Sequence, residues 1–354
     1  MRALAKAVIT KALPRRFVDV LASLPPVTRA RNRRLHRVYY CKALQGESNY
    51  NICINSDMTV SCNCRDYDGK GHIGDLSTQD LQEIFDGEVA QRFRRALAKG
   101  RFPVPLCPRC GELVSVDRKD VDRYLAEYHV PRKGIMVENT CLCNLHCLSC
   151  DRDAVMKIRK RPRMSLKDLE KVAGIIRDYG IQEVAYHNLG EPFLSDRIYE
   201  ELRLIRAHNP DIRIITSTNG MFLDGEQKRE AALLVDNITF SIDGSSQDLV
   251  TRYQVGGDFD KSCTNMRNLV ALRNSRGLSR PEIEWKYVVF DWNDKEPDIE
   301  RAIELAKEAG VDIISFWLGG GPRAHLSRRF LYDPYFQRLG KKSWKGREID
   351  FREG

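Results

Sequence analysis

From Gly134 onward, short apolar runs rich in β-branched residues alternate with amphipathic runs of helical period, and this alternation constrains the fold more than any other feature of the chain. The period predicts strands near 134–138, 182–188, 212–217, 237–242, 283–291 and 312–317. Helices near 166–179, 197–208, 226–235, 260–275 and 297–309 fall between them. Strands separated by helices pair in parallel, and right-handed crossovers curl such a sheet toward a barrel. The expected class is α/β, a partial (βα)6 TIM-like barrel with its active site at the C-terminal ends of the strands.

Residues 41–113 read differently. A hairpin-like stretch runs from Tyr50 to Cys64 with Asn55, Ser56 and Asp57 as turn residues, and a helical stretch from Thr78 to about Ala98 ends at Lys99-Gly100. Pro103 and Pro105 lead into Cys107-Pro108-Arg109-Cys110. Four segments are expected: a basic amphipathic arm (1–40), a small Cys-rich α+β domain (41–113), the barrel (134–318) and a C-terminal tail without clear period (319–354).

The arm carries ten Lys and Arg against Asp19 alone, which accounts for the formal +9 of the whole chain and leaves the rest neutral. A neutral body disfavours nucleic acid as a partner. In the arm, Leu4, Val8, Leu13, Phe17, Val20 and Leu24 fall near helical spacing, interrupted by Pro14 and stopped by Pro25-Pro26. Two readings stand: an interfacial helix on an anionic membrane surface, or a loosely docked terminus. No run approaches the ~18 apolar residues of a membrane span, and there is no apolar signal-peptide core. A cytoplasmic protein is expected, with peripheral membrane contact if the arm is interfacial.

Of eleven cysteines, ten lie between Cys41 and Cys150. An odd number in a long chain argues for thiolate metal ligation rather than a disulfide framework. Just after the first expected strand stands Glu138-Asn139-Thr140-Cys141-Leu142-Cys143-Asn144-Leu145-His146-Cys147-Leu148-Ser149-Cys150. Thiolates at Cys143, Cys147 and Cys150 suit three corners of a cubane iron–sulfur cluster and leave a fourth iron open. A zinc site completed by Cys141 or His146 is the alternative.

This run resembles the signature of the radical S-adenosylmethionine (SAM) superfamily, Glu-x-Thr-x-x-Cys-Asn-Leu-x-Cys-x-x-Cys, at every fixed position. The resemblance implies a [4Fe-4S] cluster on Cys143, Cys147 and Cys150 whose open iron chelates SAM. One electron then cleaves SAM to a 5′-deoxyadenosyl radical that takes a hydrogen atom from the substrate. Asn188-Leu189-Gly190-Glu191-Pro192 resembles the turn that holds the SAM amino group, with Leu189 in place of the usual first glycine. Ser217-Thr218-Asn219-Gly220 resembles the family's Thr-Asn-Gly strand end, and Ser241-Ile242-Asp243-Gly244 the strand end that meets ribose. Arg252 stands where related enzymes place a guanidinium on the SAM carboxylate. Ser149 replaces the usual aromatic beside adenine, so Val288 and Leu318 are the expected apolar contacts, with core positions as the alternative.

Cys41, Cys62, Cys107 and Cys110 resemble the ligands of twitch or SPASM-type auxiliary modules, here placed ahead of the barrel, and imply an auxiliary [4Fe-4S] cluster. A zinc ribbon using Cys62, Cys64, Cys107 and Cys110 competes with it. Cys53, Cys141 and Cys263 suit buried small hydrophobes, with Cys263 as a candidate hydrogen-atom donor. His187 is the candidate proton carrier, or a hydrogen-bonded strand-end histidine.

An auxiliary cluster that accepts an electron from a substrate radical implies oxidation of an alcohol, on a sugar, aminocyclitol or glycan precursor. The alternatives are a peptide-modifying maturase, a radical epimerase and a non-catalytic zinc-stabilised binding protein. The implied partners are the small-molecule or glycan substrate and an electron donor such as flavodoxin or ferredoxin.

Overall fold

The computed structural model describes residues 37–319, 326–343 and 346–353. The basic arm expected over 1–40 lies outside the described residues up to residue 36, and residues 37–40 enter the first strand. Among the described residues no helix is long and apolar enough to cross a membrane.

In chain order the strands are β1 (Arg37–Cys41), β2 (Cys53–Ile54), β3 (Thr59–Ser61), β4 (His72–Asp75), β5 (Leu113–Asp117), β6 (Ile135–Val137) and β7 (Glu183–Ala185). They continue with β8 (Arg213–Thr218), β9 (Asn237–Ser241), β10 (Glu282–Val289), β11 (Ile313–Leu318), β12 (Lys341–Lys342) and β13 (Gly346–Asp350). The chain forms two compact units. Within the described residues, one holds residues 37–52 and 59–133, and the other holds 53–58 and everything from Gly134 on.

In the second unit β6, β7, β8, β9, β10 and β11 pair in parallel in that order, and the open sheet is a partial (βα)6 barrel. The six expected strands are all present. Two additions were not foreseen. β2 pairs in parallel with β6, and β13 lies antiparallel on β11 with β12 beyond it. β2 has only two residues, and β13 reads Gly-Arg-Glu-Ile-Asp with every position half-buried, so neither carries a hydrophobic period.

β10 shows how the barrel acquires two chemically different faces. Ile283, Trp285, Tyr287 and Val289 are fully buried, while Glu282, Lys286 and Val288 alternate with them as half-buried positions. The same alternation puts Ile238 and Phe240 of β9 on the apolar face, and Asn237, Thr239 and Ser241 on the other. The Phe240 ring lies against Gly220 and beside Ser262 of the helix Phe259–Ser275, so the apolar face is the helix-covered one. The opposite, inner face is polar: the buried carboxylate of Glu284 accepts from Thr239 Oγ1 at 3.1 Å and from Ser315 Oγ, and Trp317 Nε1 donates to Ser315 Oγ at 2.9 Å.

The helices start where the sequence supplies caps. Ser165 and Asp168 form a capping box on Leu166–Asp178, and Asp258 caps Phe259–Ser275. In the first unit β1 pairs antiparallel with β5, and β3 with β4. The single helical stretch expected from Thr78 is two helices, Leu81–Asp86 and Glu88–Ala98, because Gly87 takes an extended conformation between them.

Trp285 is fully buried and donates Nε1 to the Ile242 carbonyl at 2.9 Å. Trp285→Ala is expected to lower unfolding free energy by about 3–5 kcal/mol in urea titrations, against about 0.5 kcal/mol or less for Tyr332→Ala at an exposed site.

Candidate active site and cluster sites

The three-cysteine loop leaves β6 through Glu138, whose buried carboxylate is bonded on both oxygens. Glu138 Oε1 accepts from Arg159 Nε at 2.8 Å and from the Ser56 amide at 3.2 Å, while Oε2 accepts from Asn188 Nδ2 at 3.0 Å. Arg159 Nη2 also donates to Asn55 Oδ1 at 2.7 Å. Both side chains of this ion pair are essentially out of solvent.

The loop is then held from several directions by main-chain bonds. Cys141 N donates to Pro162 O at 3.0 Å, His146 N to Val255 O at 2.9 Å, Leu148 N to Tyr253 O at 3.0 Å, and Glu191 N to Leu142 O at 2.8 Å. A Cβ at Gly190 would stand 2.0 Å from the Thr140 carbonyl oxygen, so only glycine lets the 188–192 turn close on the cysteine loop. Cys143, Cys147 and Cys150 are half-buried, and burial raises all three thiols, Cys143 to about 11. Cys147 and Cys143 each feel the charge of Cys150, and Cys147 that of Asp243. Metal binding here therefore releases protons. Ser149 Oγ, between the last two cysteines, is covered and has no hydrogen-bond partner among the described residues.

Around this loop the strand ends bring together most of the residues singled out from sequence. Glu191 Oε1 accepts from Thr218 Oγ1 at 2.7 Å and from the Phe193 amide at 3.1 Å, and Oε2 accepts from the Asn219 amide at 2.7 Å. Asn219 Nδ2 donates to Asn144 Oδ1 at 2.8 Å and lies 3.9 Å from Cys143 Sγ. Gly220, at φ +80°, makes the turn after β8, and Ser262 and Asn265 grip the carbonyls of Asn219 and Gly220 at 2.8 Å each. Ser217 Oγ and Ser241 Oγ are 3.3 Å apart. Asp243 is buried, accepts from the Val288 amide at 3.0 Å, and is pushed up to about 6 by burial.

Asn188 spends its amide on Glu138 and on Cys53 Sγ at 3.5 Å. Arg252 is exposed at the end of Gln247–Thr251 and makes no ion pair among the described residues. Leu318 pairs in register with Val289. Cys263 is buried in its helix, its thiol raised to about 12 by burial, and the charges it feels belong to Arg267 and Asp260 of the same helix. His187 is half-buried just beyond β7.

Sequence reasoning missed Arg159, the 253–255 segment and Gln254, which joins the Asp243 amide and the Ser241 carbonyl at 2.9 Å each. An arginine inside Arg159-Lys160-Arg161-Pro162-Arg163 carries no local sign of burial.

In the first unit, Cys41 closes β1, Cys62 follows β3, and Cys107 and Cys110 bracket a single 3₁₀ turn. These four line one pocket whose other walls include Leu44, Phe93 and Leu97. Burial pushes Cys41 up to about 12 and raises the other three, and the charges of Cys41, Cys107 and Cys110 all reach Cys62. Cys64 lies beside them, its thiol 3.5 Å from Asn51 Oδ1. Among the described residues no three His, Cys, Asp or Glu side chains converge as the ligands of a single metal ion would.

The donor sets fit the groups they are expected to hold: three thiols on one loop beside a buried carboxylate suited to an ammonium, and four thiols around one apolar pocket. Residues 137–277 match the radical SAM superfamily, and residues 41–111 match the SPASM iron-sulfur cluster-binding domain. The chain is a radical SAM protein. It carries a SPASM-type module ahead of its barrel, and its cofactors are a SAM-binding [4Fe-4S] cluster, SAM and an auxiliary iron–sulfur cluster.

Among curated relatives, a probable GTP 3′,8-cyclase of Methanothermobacter thermautotrophicus is 29% identical over 114 residues, 32% of this chain and 36% of that protein. One of Pyrococcus abyssi is 27% identical over 113 residues, 32% and 35% respectively. The chain thus spans about a third of the length of the curated relatives it matches. Among solved structures, Streptococcus suis SuiB bound to S-adenosylmethionine aligns at TM-score 0.43 and 13% identity, over 81% of this chain and 64% of that one. BtrN with AdoMet and 2-DOIA aligns at 0.27 and 21%, over 30% and 44%.

Glu191 generates a pH prediction. Burial pushes its carboxyl up to about 7 against the pull of its three donors. A raised acid is protonated below that value, and only the ionised form attracts an ammonium strongly. SAM affinity of the anaerobically reconstituted protein is expected to fall as pH drops from about 7.5 to about 6, and Glu191→Gln to bind more weakly with a flattened profile, measured by equilibrium dialysis.

Proposed function

We propose that this radical SAM protein is a dehydrogenase-type oxidoreductase acting on a hydroxyl group of a small polar substrate, of the sugar, aminocyclitol or glycan-precursor class. The observation that carries the reading is the second thiol set, Cys41, Cys62, Cys107 and Cys110 around one pocket. Turning CH–OH into C=O removes a hydrogen atom from carbon, a proton from oxygen and one further electron. With cluster and SAM bound, reductive cleavage of SAM supplies the hydrogen-abstracting chemistry.

The chain's own residues divide the remaining work. Glu191, fixed by Asn219, Thr218 and Phe193, takes the SAM ammonium, and Arg252 its carboxylate. Ser217 and Ser241 face ribose, with Asp243 beside them, and Val288 flanks adenine, whereas the register of Leu318 with Val289 turns it to the helix-covered face. His187 accepts the hydroxyl proton, and an iron–sulfur cluster held by Cys41, Cys62, Cys107 and Cys110 would take up the further electron. The inner face of Thr239, Glu284, Lys286, Ser315 and Trp317 offers both donors and acceptors, which suits a hydroxylated molecule. Cys263 is the candidate hydrogen donor only for an epimerase, and its place in the helix layer favours the oxidation instead.

Cys143→Ala/Cys147→Ala/Cys150→Ala is expected to abolish 5′-deoxyadenosine formation under dithionite. Cys107→Ala/Cys110→Ala is expected to slow it and to yield no carbonyl product from a panel of polyols, amino-polyols and GTP analysed by mass spectrometry. Conversion of GTP without net oxidation would refute the dehydrogenase reading, and a carbonyl product from the second variant at the wild-type rate would refute the electron-accepting role of the first unit's thiol set.

A further inference from the structure

Arg94 is a cation buried in the first unit without an ion pair among the described residues. It belongs to the helix Glu88–Ala98, whose Phe93 and Leu97 line the four-thiol pocket. Its guanidinium turns to the segment behind Cys41: Nε and Nη2 donate to the Leu44 carbonyl at 3.2 and 2.7 Å, and Nη1 donates to the Phe85 carbonyl at 2.6 Å. The Tyr128 ring covers it at 3.6 Å. Leu44 lines the thiol pocket as well, and the amides of Ala43 and Leu44 point their N–H groups at the Cys41 sulfur.

The guanidinium spends its hydrogen bonds on neutral carbonyls, an expensive way to hold a loop, and the carboxylate that acts on it, Asp86, is bonded to the Tyr128 hydroxyl at 2.8 Å and forms no ion pair with it among the described residues. Burial pulls its pKa down to about 10, far short of discharging it at neutral pH, so the charge persists. An apolar wall separates it from the thiols, and low-polarity surroundings transmit charge well.

We propose that Arg94 is a positioning residue for the auxiliary cluster, whose fixed positive charge and grip on the Cys41 loop raise the cluster's reduction potential and so fit it to accept an electron. Reduction adds one negative charge to the cluster, and a nearby fixed cation stabilises the more negative state. The inference rests on Cys41, Cys62, Cys107 and Cys110 being the auxiliary ligands.

The test is redox titration of the auxiliary cluster, followed by electron paramagnetic resonance, in reconstituted full-length wild type, Arg94→Gln and Arg94→Lys. Iron content is measured on each. At a fixed solution potential Arg94→Gln is expected to lower the ratio of reduced to oxidised cluster about tenfold, a shift of about 59 mV to more negative potential for one electron. Arg94→Lys keeps the charge but loses the planar fork, and should stay within about twofold of wild type.

An unmoved potential in Arg94→Gln with the cluster present overturns the proposal, as does an equal shift in both variants, which marks a merely structural arginine. If Arg94→Gln holds no cluster, Arg94→Lys decides: wild-type potential supports the charge and a shifted or absent cluster refutes it. Absence of a second cluster from the wild type would instead sink the ligand set on which the inference stands.

Discussion

The buried Glu138–Arg159 pair is the contact on which the catalytic end of the barrel depends. With both side chains out of solvent, the 2.8 Å contact is sustained because both carboxylate oxygens and most of the guanidinium nitrogens are also bonded, to Ser56, Asn55 and Asn188. Losing one partner of such a pair leaves a naked buried charge at a cost of about 3–5 kcal/mol. That cost ties four separate pieces of chain together: the end of β6, the turn after β2, the 159–164 segment and the turn after β7. The cysteine loop springs from this knot, and the bonds from Cys141, Met164 and Leu142 extend the hold along it.

A second knot stands across the loop. Glu191 draws in Thr218 and Asn219, Asn219 in turn reaches Asn144, and Gln254 ties Asp243 to Ser241. Buried carboxylates therefore organise the site twice, and they differ in what completes them. Glu138 has its arginine. Glu191 has neutral hydrogen-bond donors, feels the charge of Lys228 without pairing with it among the described residues, and is pushed up to about 7 by burial.

What could be read from sequence was what is local in sequence. Three thiols within Cys143–Cys150 announce a shared metal group because one loop carries them all, and the β10 run Glu-Ile-Glu-Trp-Lys-Tyr-Val-Val announces its buried face by its period. Long-range partners were invisible. Arg159 meets Asn55 across more than a hundred residues, and nothing in a charged run distinguishes the one arginine that turns inward. Asn55 and Ser56 were legible as a turn but not as partners of the barrel. Gly87 was passed over as an ordinary helix position, although glycine between Asp86 and Glu88 is what separates the two helices. The first unit's four cysteines lie far apart in sequence, and it took the resemblance to auxiliary modules to join what β1, β3 and the Cys107–Arg109 turn then bring to one pocket.

Two independent iron–sulfur sites, one per unit, are the central claim. Anaerobic iron, sulfide and zinc analysis of wild type beside Cys143→Ala/Cys147→Ala/Cys150→Ala and Cys41→Ala/Cys62→Ala tests it directly. The account predicts about eight irons and eight sulfides in the wild type and about four of each in either variant. Zinc in the first unit, or about four irons in the wild type that vanish with the first variant alone, would contradict it.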